Sequence, residues 1–147
     1  MAQSKDIWRK IVVLAVVGGL AFWATSIATS LLPIAADYRV ARWSAQTVWV
    51  GSLPAGMIIG FFVSFFLLRF FDKIPTKNPI LKALILSFVA VVVIEVLSTF
   101  GNLRNAYVYL FVDTVMNIPR FLALGIVIGY LYKRLYGSES LGKSDKH

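Results

Sequence analysis

The chain has 147 residues, of which 59% are hydrophobic, and a mean hydropathy of +0.76; soluble domains are roughly 45–50% apolar, so a water-soluble globule is excluded. The net charge is +8, but the Lys and Arg residues lie mainly between and outside the apolar runs, as topology-setting charges do, so we expect no nucleic-acid partner. Cysteine is absent and the one histidine is His147, which excludes thiolate metal sites, a bis-imidazole haem and a buried histidine base; we expect no metal and no cofactor.

Four apolar runs follow one another along the chain, and each is long enough to cross a bilayer. The predicted spans are residues 11–34, 48–68, 80–100 and 106–132. The first two contain no charged residue, the third carries Lys82 and Glu95, and the fourth carries Asp113 and Arg120. We therefore predict an all-α integral membrane protein, a four-helix transmembrane bundle that forms one domain over residues 1–136.

Two of these spans admit another interpretation. Basic residues precede the first run and Ser26-Ile27-Ala28 resembles a cleavage site, as in a signal peptide, but the run is long for a signal sequence and favours a membrane span. If Arg120 is not accommodated in the membrane, residues 121–132 are too short to cross it and form a re-entrant or interfacial segment.

The positive charges predict the orientation of the spans. One side of the membrane receives eleven of the fifteen Lys and Arg residues: Lys5, Arg9, Lys10, Arg69, Lys73, Lys77, Lys82, Lys133, Arg134, Lys143 and Lys146. The other side receives Arg39, Arg42 and Arg104. Short loops with this asymmetry predict that both termini are cytoplasmic, in a multi-pass protein of the plasma or inner membrane. Residues 72–79 then form a tight cytoplasmic hairpin, and residues 137–147 a disordered cytoplasmic tail.

Aromatic residues agree with this register, since belts of Trp and Tyr lie at headgroup depth. The predicted outer belt consists of Tyr38, Trp43, Trp49, Tyr107 and Tyr109, and the predicted inner belt of Trp8, Tyr130 and Tyr132.

Small residues recur at four-residue spacing and predict faces for helix packing. The second span has Ser52, Gly56, Gly60 and Ser64, and the fourth has Gly125 and Gly129. Lipid does not push apolar helices together, so close backbone approach along such faces drives their association. We favour packing within the chain over a homodimer interface. The remaining large residues of the second span, from Phe61 to Leu68, surround the helix, and we expect some of them, Leu67 included, to face lipid.

Polar residues concentrate in the predicted outer half of the bundle. Asp113, Asn117 and Arg120 share one face of the fourth span. The other spans contribute Thr25, Ser26, Thr29 and Ser30 from the first, Ser52 from the second, and Glu95, Ser98 and Thr99 from the third. Pro119 removes a backbone donor beside Arg120. A polar pocket that opens outward follows, whereas the inner half is expected to be nearly all apolar.

The buried charges of this layer allow two interpretations. Intramembrane ionisable groups face inward and pair, and Arg120 is at a height from which it reaches Glu95 or Asp113. In the structural interpretation Glu95 and Arg120 form a pair that sets helix register. In the functional one, Glu95 or Asp113 binds a proton or cation while Arg120 holds the other carboxylate.

Three functions are compatible with these residues. An accessory or structural subunit of a larger membrane complex is preferred, because no nucleotide motif, metal ligand set or activated nucleophile is present. The alternative is a small oligomeric transporter or channel for protons, a cation or a cationic amphiphile. An intramembrane enzyme is least favoured, because Ser26, Ser30 and Ser52 have no histidine base. The expected partners are the lipid bilayer and either other membrane subunits or further copies of the chain.

Overall fold

The structure, a computed structural model, consists of four long α-helices. It describes residues 2–33, 45–100 and 106–141, and the side chains of residues 5–33, 46–97, 111 and 113–136. The helices are α1 (Ala2–Ser30), α2 (Ala45–Arg69), α3 (Pro79–Phe100) and α4 (Ala106–Leu141), and a 3₁₀ turn (Phe71–Lys73) lies between α2 and α3. Each contains a segment long and apolar enough to span a membrane: Lys5–Ser30, Gln46–Arg69, Pro79–Leu97 and Asp113–Tyr136. This confirms the predicted all-helical fold with four candidate spans.

The helix boundaries differ from the predicted ones at both ends of the chain. α1 begins at Ala2, nine residues before the predicted span, and α4 continues to Leu141, into the segment predicted as a disordered tail. Residues 142–147 lie outside the described part. Proline does not interrupt the helices: Pro54 lies inside α2 and Pro119 inside α4. The fourth span is therefore one continuous helix, and no break separates residues 121–132 from the turns before them.

The turn between α2 and α3 is built from local hydrogen bonds. The backbone N–H of Lys73 donates to the carbonyl of Phe70 (3.0 Å), which closes the 3₁₀ turn. Asn78 then caps α3, because its Oδ1 accepts from the backbone N–H of Ile80 (3.0 Å). Pro79 occupies the first helical position, where its missing N–H costs nothing. This arrangement agrees with the short hairpin expected for residues 72–79.

Glycine allows close contact between α1 and α2. A Cβ atom at Gly56 would lie 2.8 Å from the carbonyl oxygen of Gly19, and one at Gly60 would lie 2.7 Å from that of Ala15. Side chains larger than hydrogen do not fit at either position without a backbone shift. The small-residue face of α2 therefore packs within the chain.

The α3–α4 pair uses the same device. A Cβ atom at Gly125 would lie 2.8 Å from the Ser87 Oγ, and one at Gly129 would lie 3.0 Å from the carbonyl oxygen of Pro79. The two helix pairs meet through α1 and α4, where the rings of Phe22 and Phe121 pack edge to face with centroids 5.4 Å apart. α2 and α3 touch each other much less, so a gap remains between them.

Two expectations are wrong, one about the second span and one about the half of the bundle near the 3₁₀ turn. Leu67 is fully buried in the core rather than exposed to lipid, whereas Phe62 is 53% exposed. The half of the bundle near the 3₁₀ turn, the lower half, is also less apolar than expected, because Ser64, Ser87 and Lys82 are all buried there. The Lys82 Nζ donates to the carbonyl of Phe71 and lies 3.5 Å from the centroid of that ring. Hydrogen bonding and the ring face compensate the burial of this ammonium group.

The outside of the bundle is apolar on all four helices. Large exposed side chains include Val12, Val16, Leu20, Val50, Ile58, Phe62, Phe88, Val92, Val96, Leu97, Phe111, Leu122 and Ile126. Soluble monomers rarely expose a continuous apolar surface of this extent. A lipid environment removes the cost of exposing it, which agrees with the four candidate spans.

Candidate functional site

A polar cavity of about 410 Å³ lies at the end of the bundle where α1 ends and α4 begins, called the upper end below. Its walls come from all four helices: Phe22 and Ser30 of α1, Thr47, Val48, Gly51, Ser52, Ala55 and Ile59 of α2, Ile94 of α3, and Asp113, Met116, Asn117, Arg120 and Phe121 of α4. Five of the candidate binding residues line it: Ser30, Ser52, Asp113, Asn117 and Arg120. A volume of this size accommodates a small ligand.

α4 supplies the charged wall of the cavity. Asp113, Asn117 and Arg120 are four and three residues apart, so helical periodicity places them on one face. The other helices contribute hydroxyl groups and apolar side chains, and Glu95 of α3 lies behind Asn117 with only 5% of its surface exposed.

Asn117 links the buried acid to the base. Its Nδ2 donates to the Glu95 Oε1 (2.8 Å), and its Oδ1 accepts from the Arg120 Nη1 (3.0 Å). The predicted relation between Glu95 and Arg120 thus runs through an amide instead of a direct ion pair. An amide has a donor and an acceptor at opposite corners, so it satisfies both charged groups at once.

Arg120 is held by neutral acceptors. Besides Asn117, its Nε donates to the Thr29 Oγ1 of α1 (3.3 Å). Within the part of the chain that the structure describes, no carboxylate oxygen lies within 4.0 Å of the guanidinium nitrogens. The guanidinium has five N–H donors, of which these contacts use two, so donors on Nη1 and Nη2 are left for a ligand in the cavity.

Tryptophan side chains form hydrogen bonds between α1 and α2 beside the cavity. The Trp49 Nε1 donates to the Ser30 Oγ (2.8 Å), and the Trp23 Nε1 donates to the carbonyl oxygen of Trp49 (2.9 Å). The sequence places Trp49 in an aromatic belt, and its bond to Ser30 adds a structural role to that position. Trp49 is 37% exposed, so its ring also remains at the surface of the bundle.

The other hydroxyl groups predicted for this layer are satisfied within their own helix. Ser26 is fully buried and its Oγ donates to the carbonyl of Phe22 (2.8 Å), and the Thr25 Oγ1 donates to that of Ala21 (2.8 Å). Ser26 is not among the cavity residues. The side chains of Ser98 and Thr99 lie outside the described residues.

Sequence reasoning did not single out several cavity residues. Thr47, Met116 and Ile94 line the cavity, and nothing in their local sequence distinguishes them from other positions in apolar helices. Thr29 was placed in the polar layer without a role, and its hydroxyl proves to be a partner of Arg120. Only the approach of α1 to α4 brings those two residues together.

An apolar groove continues from the cavity between α2 and α3. It has a volume of about 330 Å³ and is lined by Ile59, Phe62, Val63, Phe66, Leu86, Val89, Ala90, Val93 and Ile94. Ile59 and Ile94 line both the cavity and the groove. The groove exists because α2 and α3 make few contacts with each other.

The chemistry of the site is that of hydrogen bonding and charge. Among the residues that the structure describes, no three acidic or histidine side chains come together to hold a metal ion. What the cavity presents is one guanidinium, one carboxylate, an amide and hydroxyl groups. These groups can form hydrogen bonds with a small polar or charged molecule, and the apolar side chains of the wall can contact apolar parts of it.

Comparison of the chain with models of protein families, with curated proteins and with solved structures found no match. The function is therefore inferred from the geometry of this site.

Proposed function

We propose that this chain is a multi-pass protein of the cell membrane that belongs to the transport class and binds a small anionic group in the polar cavity, with Arg120 as the recognising residue. The observation that carries the proposal is the setting of the Arg120 guanidinium, which lines the cavity and is hydrogen bonded by the neutral side chains of Asn117 and Thr29.

A guanidinium inside a membrane bundle is costly without a counter-charge, at least about 2.5–3.5 kcal/mol on insertion scales. The hydrogen bonds that Arg120 donates to Asn117 and Thr29 orient the group but do not neutralise it. An incoming carboxylate or phosphate oxygen supplies a negative charge in direct contact with the guanidinium, which no carboxylate of the described residues does, and accepts from the remaining N–H donors, in the bidentate geometry that arginine favours. Binding of an anion is therefore favourable at this position.

This proposal changes the sign of the ligand expected from sequence. Two acids and one base share the polar layer, so the transporter that the sequence offers as an alternative function is expected to take a proton, a cation or a cationic amphiphile. In the structure Glu95 is turned towards Asn117 and is not among the cavity residues, whereas Arg120 lines the cavity. The carboxylate that does line it, Asp113, lies seven residues before Arg120, roughly 10 Å along the helix axis.

The orientation of the bundle is part of the proposal. We place both termini and the 3₁₀ turn Phe71–Lys73 on the cytoplasmic side, following the distribution of Lys and Arg. The upper end of the bundle, with its cavity, then faces outward.

The test uses methyl phosphate as a minimal anion and purified protein in a non-ionic detergent. We expect saturable binding by calorimetry, and a loss of at least about tenfold in affinity for Arg120→Gln, since one hydrogen bond to a charged group contributes roughly 1.5–3 kcal/mol. Arg134→Gln is the matched control, because it removes the same charge from an exposed position of the same helix. Preferential binding of tetramethylammonium, or equal affinities for the two variants, would contradict the proposal.

Flux distinguishes transport from binding alone. Proteoliposomes that contain the wild-type protein should accumulate labelled methyl phosphate faster than empty liposomes, and Arg120→Gln should abolish the difference while Arg134→Gln preserves it. Binding without flux would assign the cavity to a receptor or carrier-subunit role.

The accessory-subunit role that the sequence favours stays a prediction. Native mass spectrometry of the protein purified in mild detergent tests it: reproducible foreign subunits would support that role, and a homo-oligomer or monomer would favour a self-sufficient transport protein.

A further inference from the structure

We propose that the anionic ligand is an amphiphile, whose head binds Arg120 in the polar cavity and whose alkyl chain lies in the apolar groove between α2 and α3. This inference rests on the proposed function, since it takes an anion at Arg120 as its starting point. It adds the chemical class of the ligand and the path of its chain.

The cavity and the groove are continuous along α2. Ser52 and Ala55 line the cavity, Ile59 lines both spaces, and Val63 and Phe66 line the groove alone. From Ile59 to Phe66 the groove extends roughly 10 Å along the helix axis. A ligand that occupies both spaces is therefore polar at one end and linear and apolar at the other.

The groove suits an alkyl chain in composition and access. Every residue that lines it is apolar, and three of them, Phe62 on α2 and Val89 and Val93 on α3, are about half exposed on the outside of the bundle. In a bilayer such a groove is open to lipid and is filled by a chain, because no polar group competes for it and lipid chains are as apolar as its walls. When an alkyl chain lies in the groove, the polar head of the same molecule lies in the cavity.

The order of charges along α4 selects the sign of the head. Asn117 bonds to Glu95 and is level with it, and Gly125 packs against Leu84. The groove positions of α3, from Leu86 to Ile94, are therefore level with the stretch of α4 between Asn117 and Gly125.

That stretch of α4 holds Arg120 but not Asp113. Of the two charged side chains that line the cavity, Asp113 and Arg120, the one nearer to the groove is thus the cation, so the group attached directly to the chain is an anion. An alkylammonium in the same place would meet the guanidinium and be repelled. Asp113 lies roughly two helical turns further from the groove, so a head beside Arg120 is closer to the guanidinium than to this carboxylate.

Three probes separate the head from the chain: dodecyl phosphate, dodecyltrimethylammonium with the same chain and the opposite charge, and methyl phosphate with the same head and no long chain. Binding is measured by native mass spectrometry in a non-ionic detergent. Ala90→Phe fills the groove, and Val92→Phe is the matched control, because Val92 lies on the same helix and is exposed but does not line the groove.

We expect dodecyl phosphate to bind at least ten times more tightly than dodecyltrimethylammonium. Ala90→Phe should weaken dodecyl phosphate binding at least tenfold and leave methyl phosphate binding within twofold, while Val92→Phe should leave both within twofold. Arg120→Gln should weaken both phosphates. Wild-type protein labelled with a dodecyl phosphate that carries a diazirine in its chain should be modified within residues 86–94 of α3 or 59–66 of α2, and this provides a readout that needs no substitution.

The failures are distinguishable. If methyl phosphate binds through Arg120 but the chain gives no dependence on Ala90 and no labelling of the groove, the amphiphile inference is overturned and the proposed function stands. If neither phosphate binds, the proposed function fails with it. A preference for dodecyltrimethylammonium would overturn both by showing that the cavity selects cations.

Discussion

Exchanging the chemistry of Glu95 and Asn117 tests the hydrogen-bond network on which the site depends. The perturbation is the pair Glu95→Gln and Asn117→Asp, made singly and together. In the native chain Asn117 donates to the Glu95 carboxylate (2.8 Å) and accepts from Arg120 (3.0 Å). In the double variant the amide and the carboxylate trade places, so Gln at 95 donates to Asp at 117, which also accepts from Arg120. The net charge of the three groups is unchanged.

The expected magnitudes follow from the contacts. Glu95→Gln replaces a hydrogen bond to a charged group with a neutral one and should cost about 1 kcal/mol. Asn117→Asp removes that bond, at about 1.5 kcal/mol, and places two carboxylates in contact. A like-charge pair at 4 Å costs roughly 4 kcal/mol at an effective dielectric of 20, and a new ion pair with Arg120 offsets about 3 kcal/mol of it. We expect a net loss of about 2–3 kcal/mol. The double variant should lie within about 1 kcal/mol of the native protein, a coupling of at least about 2 kcal/mol.

The assay is equilibrium unfolding in mixed micelles of a mild detergent and sodium dodecyl sulfate, followed by far-ultraviolet circular dichroism. The native chain, both single variants and the double variant are compared at one pH and one ionic strength. Additive losses, with the double variant about 3–4 kcal/mol less stable than the native protein, would show that the two side chains do not interact and would refute the network.

Two further predictions concern packing and orientation. Gly60→Leu should destabilise the protein in detergent by at least about 1–3 kcal/mol, because a side chain there meets the Ala15 carbonyl. Phe62→Ala, at a half-exposed position, should change the melting temperature little. Equal effects of the two substitutions would contradict the close contact of α1 and α2 at Gly60. In the cysteine-free chain, Ser140→Cys should not be labelled by an impermeant thiol reagent added outside intact cells, whereas Ser44→Cys should be labelled. Labelling of Ser140→Cys would contradict the proposed topology.

The four helices follow from the sequence because spanning a bilayer is a local property. A run of about 20 apolar residues has to form a helix to satisfy its own backbone in lipid, whatever its neighbours do. The same holds for the polar face of α4: helical periodicity alone places Asp113, Asn117 and Arg120 side by side. Small residues at four-residue spacing likewise predict contact faces, which in the structure lie against α1 and α3.

Which faces of the helices contact each other could not be predicted from the sequence and is known only from the tertiary structure. In a membrane protein both the core and the lipid-facing surface are apolar, so hydrophobicity does not tell which side of a helix is buried. Leu67 is therefore predicted at the surface, whereas it is fully buried, and hydrophobicity does not predict the burial of Ser87 and Lys82 in the lower half.

The partners within the site were decided in the same way. Sequence offered Glu95 and Arg120 as an ion pair because opposite charges at similar depth attract. The packing of α3 against α4 places Asn117 between the Glu95 and Arg120 side chains, and the approach of α1 brings Thr29 to the guanidinium. The gap between α2 and α3 that forms the apolar groove cannot be predicted from the sequence either. It depends on how the α1–α2 pair packs against the α3–α4 pair, and these pairs meet through α1 and α4. Composition and periodicity thus determined the helices and the polar layer, while the relative placement of the helices determined which polar atoms meet and where a ligand fits.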